Sequence, residues 1–227
     1  MKHLISFFLF AAFIGVTAVT TLAHGFEGVI SMQAVVAQMG DQAIPITIST
    51  KGEKTLMEMS IPMGTMKIIM DRAAGKMITI MGQNGMQIDM NSDAKKNKKS
   101  DPDDTKVVAT GEKKVINGHN CELYIVTFKD NESDMWVTSE MPATMLEAMK
   151  SSFTGGMQAL SARGGSGGGG YEEIFKKGLV PVQVEMKKDG KVNATITVLS
   201  FEQKKLDDSV FEVPADVQIM QMPGGGR

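Results

Sequence analysis

The sequence predicts a mainly β protein, a curved antiparallel meander of about nine to eleven strands with one or two helices. Three observations lead there. Apolar and polar residues alternate at period two over most of the 227-residue chain; short turn signals separate the alternating runs; and one main stretch carries apolar residues at helical spacing. So many short-looped strands do not form a flat open sheet. They curl into a barrel, half-barrel or sandwich with the apolar face inside.

Taken in order, the chain opens on Lys2 and His3, an apolar run from Leu4 to Val19, and a small-residue end at Thr21-Leu22-Ala23. This is the pattern of a cleaved export signal over 1–23. The run falls short of the roughly 20 residues that span hydrocarbon. Cleavage leaves a single domain over 24–227 that begins at His24, has no membrane span, and resides in the periplasm or outside the cell. Within it, Met57, Met59 and Ile61 share one parity against Glu58 and Ser60. Met66, Ile68 and Met70 alternate with Lys67 and Ile69, Met86, Ile88 and Met90 with Gln87 and Asp89, and Val182, Val184 and Met186 with Gln183 and Glu185. From Met77 to Met81 both parities are apolar, which suits a strand covered on its two faces.

Turn signals at Gly52, Ala73-Ala74-Gly75, Gln83-Asn84-Gly85, Asn117-Gly118 and Asp189-Gly190 are too close for crossovers, so the strands they join are antiparallel. Residues 91–104 hold four lysines and then three aspartates with almost nothing apolar, and read as a charged solvated loop. Over 141–160 a helix is expected, with Met141, Met145, Leu146, Met149 and Phe153 on one face and Pro142 in its first turn. A glycine-rich connector over 161–170 follows, then a short second helix over 171–177.

Composition narrows the chemistry. A net charge of -2 offers no surplus to attract nucleic acid, one Cys cannot close an intrachain disulfide, and three His cannot build a multi-histidine cage. His119 and Cys121 share a strand face, but Cys121 continues an apolar parity with Leu123 and Ile125 and reads as a wall residue. The carboxylates form no closely spaced catalytic or calcium-binding motif. No enzyme is expected.

The anomaly is 20 Met. One reading makes thioethers an adaptable lining for an apolar ligand. The cavity would then be lined by Met57, Met59, Met66, Ile68, Met70, Met86, Ile88, Met90, Val182, Val184 and Met186, under a lid helix bearing Met145, Leu146, Met149 and Phe153. The alternative is copper, held by an N-terminal His24 with Met57 and Met59, since soft thioethers suit Cu(I). A third reading is a structural envelope domain whose core is filled by Met, with no ligand and with envelope proteins as partners.

Three stretches carry a family resemblance. They are MKIIMD at 66–71 running through a turn into KMITIM at 76–81, GEKKVINGHNCELY at 111–124 leading to Met135-Trp136-Val137, and KLDDSVFEVPAD at 205–216. Together they resemble a bacterial domain-of-unknown-function family of exported, Met-rich β proteins, similar in layout to Lol-type periplasmic lipoprotein carriers. The resemblance implies an incompletely closed antiparallel half-barrel whose concave face is plugged by helices and can hold acyl chains. It carries over no ligand-binding residue. The expected function is therefore a non-catalytic binding or carrier role for a lipid or other apolar molecule, without a cofactor.

Overall fold

A computed structural model describes residues 26–40, 42–90, 105–128, 131–150 and 169–221. The export signal, His24, the charged loop, Phe153 and most of the connector lie outside the described residues. The described chain forms one curved, open, twelve-stranded sheet in the order β12-β6-β5-β4-β3-β2-β1-β11-β10-β9-β8-β7. In chain order the strands are β1 (Glu27–Val36), β2 (Ala43–Lys51), β3 (Lys54–Ile61), β4 (Gly64–Asp71), β5 (Lys76–Met81), β6 (Asn84–Asp89), β7 (Thr105–Ile116), β8 (His119–Phe128), β9 (Asn131–Thr138), β10 (Val180–Lys188), β11 (Lys191–Gln203) and β12 (Gln218–Gln221). Twelve strands correct the nine to eleven expected. The addition at one edge is β12, which has only four residues and no alternation of its own to betray it.

Every pairing is antiparallel except that of β12 with β6. A parallel neighbour needs a long connection, and residues 204–217 supply it by crossing from β11 to the far edge. The tight hairpins follow from turn chemistry. Asn117-Gly118 and Asp189-Gly190 all have positive φ, between 47° and 83°, the two-residue geometry that matches strand twist and admits Asn, Asp and Gly.

Between β9 and β10 the chain leaves the sheet to make two helices, α1 (residues 143–150) and α2 (Gly169–Lys176). The first turn of α1 closes on the Pro142 carbonyl, which accepts from the amides of Met145 and Leu146. Beginning at Gly169, α2 starts two residues inside the expected connector. Its end is a Schellman motif at Gly178 (φ 72°), in which Gly178 N–H bonds the Phe175 carbonyl and Leu179 N–H the Ile174 carbonyl.

The sheet is apolar on both faces in different places. On the concave face, Ile30, Ile48, Met57, Met70, Met135 and Val184 pack with Met145 and Met149 of α1 and with Tyr171, Ile174 and Phe175 of α2. The spacing of the last three, i, i+3 and i+4, is what seats so short a helix. On the convex face, Leu56, Ile69 and Ile80 are covered by Phe211, with Leu206, Val210, Val213 and Val217 around them. The doubly apolar 77–81 segment is thereby accounted for: Met77 faces the main core and Ile78 and Ile80 face the 204–217 strap. Ion pairs fasten the strap's start, where Lys51 Nζ donates to the Leu206 carbonyl at 2.8 Å and lies 3.2 Å from Asp208, while Glu27 accepts from Leu206 N–H at 2.7 Å.

Candidate functional site

Antiparallel residues directly opposite each other share a face, so the register assembles the methionine surface row by row. One row runs Ile30, Ile48, Met57, Ile68, Thr79, Met86 from β1 to β6. A second runs Met32, Ile46, Met59, Met66, Met81 from β1 to β5, and a third runs Thr50, Thr55, Met70, Met77, Ile88 from β2 to β6. The sequence-predicted residues of β3, β4 and β6 therefore do stand on one face. Met90 joins them just past β6, with its amide bonded to the Gly75 carbonyl at 2.8 Å.

On the other flank Val184 is in the same core, opposite Met135, and Met186 packs against it. One residue is placed differently. Val182 is buried but sits where the β9 register skips, between Pro181↔Val137 and Gln183↔Trp136, and is not part of the concave cluster. A bulge shifts side-chain parity by one, which period-two reading cannot foresee. Met86 keeps its place in the row but is only half-buried, and pairs onward with Met220 of the edge strand, itself 62% exposed.

Burial is graded across this face. Met70 and Met135 are 1% exposed and Met149 is 0%, closed in by neighbours. Met59, Met66, Ile88 and Met90 are half-buried. Sequence reasoning passed over Met77 and Met135, and the 3.6-residue spacing at Tyr171, Ile174 and Phe175 was the signal available for the second helix's contribution.

A pocket of about 370 Å3 lies elsewhere, between the ends of β7, β8 and β9 and the start of β10, and its walls are partly polar. Lys113, Lys114, Asn120, Cys121, Glu140 and Leu179 contribute to it. Glu140 accepts from the Asn120 backbone N–H at 3.1 Å and from Asn120 Nδ2 at 2.6 Å, and these bonds hold its carboxyl below the ordinary carboxylate pKa. Lys114 Nζ stands 3.9 Å above the Trp136 ring centroid and donates to Gln183 at 3.0 Å, so its charge is already engaged. The neighbouring hairpin tip ties back to β11, where Asn117 Nδ2 donates to the Val198 carbonyl at 2.6 Å and the His119 ring meets Phe201 edge-on at 6.4 Å.

Cys121 is 2% exposed and its thiol contacts the His119 carbonyl at 3.4 Å, while the imidazole is turned to Phe201. Burial pushes its pKa above the ordinary 9.0, so at neutral pH it is a thiol and a poor nucleophile. The expected result is that a thiol reagent leaves the native protein unlabelled at pH 8 and labels it fully in denaturant. The same shift sets a sign. A folded pKa above the unfolded one contributes stability that is present below about pH 9 and lost as pH rises through the folded value, so denaturation midpoints should fall on the alkaline side. Rapid native labelling would show Cys121 accessible and reactive.

Among the described residues no three His, Cys, Asp or Glu side chains gather to hold a metal ion, and no helix is long and apolar enough to cross a membrane.

Fold and face together define a class: a wide antiparallel sheet, curved around a methionine-bearing apolar face that two helices help to cover. The chain belongs to the family described as Domain of unknown function (DUF4412), whose model matches residues 26–217. No curated protein matches the sequence. Among solved structures, the chain is similar to PNGF-II in a P21 crystal form at 12% identity and TM-score 0.40, over 87% of this chain and 32% of that one. It is similar to MucB, solved in complex with MucA(peri), at 9% identity and TM-score 0.44, over 88% of this chain and 57% of that one. A LolA superfamily protein from Nitrosomonas europaea matches at 9% identity and TM-score 0.32, over 84% of this chain and 90% of that one. The chain thus spans about a third of the PNGF-II chain it matches. Likenesses this distant specify no ligand or activity for this chain.

Proposed function

We propose that the protein is an exported, non-catalytic binding or carrier protein for a lipid or other apolar ligand, taken up against the concave methionine face. The observation that carries this reading is the graded burial of that face. Its apolar rows continue from residues closed in beside the helices to half-buried Met59, Met66, Ile88 and Met90 toward β3 to β6. Methionine has three rotatable bonds and a polarizable sulfur, so such a surface adapts to chains of differing shape. The absence of a catalytic step rests on the described chemistry: the one thiol is buried and protonated, and its neighbouring imidazole points away from it. Export rests on the leader pattern at the N-terminus.

Magnitudes bound the affinity. Sequestering about twelve methylenes contributes on the order of 10 kcal/mol, and association costs roughly 4 kcal/mol or more in lost freedom. A single acyl chain should bind with a Kd of roughly tens of micromolar, and a two-chain lipid more tightly. The test is titration of the purified protein with a fluorescent fatty acid, followed by displacement with unlabelled lipid and by thermal unfolding. Saturable, displaceable binding is expected, with about 2.7 kcal/mol of stabilisation at a hundredfold excess of ligand over Kd. No saturation and no shift of the midpoint would leave a filled structural core in its place.

A further inference from the structure

Five methionines or isoleucines make the second row of the concave face, and its outer three members are all methionine: Met59 on β3, Met66 on β4 and Met81 on β5. Met66 stands directly opposite both of the others, with Met59↔Met66 in one register and Met66↔Met81 in the next. Opposed residues hold their Cβ atoms about 4.5–5.5 Å apart, and each methionine reaches outward through three rotatable bonds, so three sulfurs can converge on one point above Met66.

Access separates this trio from the methionines closed into the core. Met59 and Met66 are half-buried and Met81 is 39% exposed, whereas Met70, Met135 and Met149 are at 1% or less. Among the described residues, the charged side chains Glu58 and Lys67 occupy the alternate parity of β3 and β4 and pair with each other at 3.0 Å, away from the trio's face.

We propose that Met59, Met66 and Met81 form a three-thioether site for a soft monovalent cation, Cu(I) or Ag(I). Thioether sulfur without carboxylate or imidazole discriminates by softness, so Zn(II), Ca(II) and Mg(II) are excluded there. The site involves binding only, with no change of oxidation state. It needs neither His24 nor Met57, and it goes beyond the apolar-ligand reading without resting on it.

The test is anaerobic titration of the purified protein, carrying 13C-methyl methionine, first with Ag(I) and then with Cu(I) in competition with a chromophoric Cu(I) chelator. A single equivalent should bind, and the methyl resonances of Met59, Met66 and Met81 should shift while that of Met70 stays. Met66→Leu should weaken binding at least about tenfold. Because Met-to-Leu exchange keeps volume, the variant should still fold, with a thermal midpoint close to that of the unaltered protein. Met81→Leu, at an exposed rim position, repeats the test where folding is not at stake. Complete loss of metal to the chelator, shifts spread evenly over all methionines, or wild-type affinity in both variants would overturn the site.

Discussion

Gly28→Ala should cost roughly 3 kcal/mol of stability with no easy local repair, because what its new methyl meets is mostly main chain. A Cβ at Gly28 collides with the carbonyl oxygen of Glu202, meets the Phe26 ring at 2.8 Å and the Cα of Gln203 at 3.0 Å. Gly28 pairs with Gln203 on β11 and Thr50 on β2, so relief means separating β1 from a neighbour at the centre of the sheet. A thermal midpoint lower by about 6–12 °C is the expected reading for a domain of this size. Gly85→Ala is the control. Its added methyl meets the side-chain ends of Ile219 and Val217, beside the four-residue edge strand β12, where rotamers and the strand itself can give. A cost of about 1 kcal/mol or less is expected there. Equal losses in the two variants would mean that the central strands tolerate displacement as readily as the edge.

Phe211→Ala should release the 204–217 strap, at about 3–5 kcal/mol for a buried aromatic truncated to a methyl. Phe211 is 7% exposed and is the strap's buried contact with Leu56, Ile69 and Ile80 on the convex face. Without it the strap keeps only the partly buried contacts of Leu206, Val210, Val213 and Val217 and the polar anchors at its start, the Lys51 ion pairs and the Glu27 bond to Leu206 N–H. Exposed ion pairs contribute little each, so they should not hold the strap alone. Limited trypsin digestion followed by mass spectrometry reads the outcome, with faster cleavage after Lys204 and Lys205 in the variant. Unchanged digestion would show that backbone pairing of β12 with β6 suffices. Because the strap lies on the convex face, fatty-acid uptake on the concave one should survive its release.

Much of this arrangement is legible in the chain alone. Alternation placed Met57, Met59, Met66, Ile68 and Met70 on a common face, and the register of β3 with β4 puts them there. Local turn chemistry marked the hairpins at Asn117-Gly118 and Asp189-Gly190, where positive φ is required of those residue types. Helical spacing marked the segment that becomes α1. Non-local facts escaped. Val182 left the face through a bulge, and nothing in VPVQVEM announces which residue the partner strand will skip. The 77–81 segment advertised two apolar faces without indicating that residues more than a hundred positions later cover one of them.

The amino-acid sequence by itself determined the periodicity, the turn positions and the concentration of thioethers on one parity, because each depends on neighbours a few residues apart. Only the tertiary structure decided that Met59, Met66 and Met81 stand in one line, that β12 runs parallel at an edge, and that Cys121 is closed off beside a carbonyl and not an imidazole. Those outcomes depend on which strands become neighbours and in what register. That choice is made by the burial of the whole sheet, where a one-residue slip would turn every methionine on a strand to the opposite side.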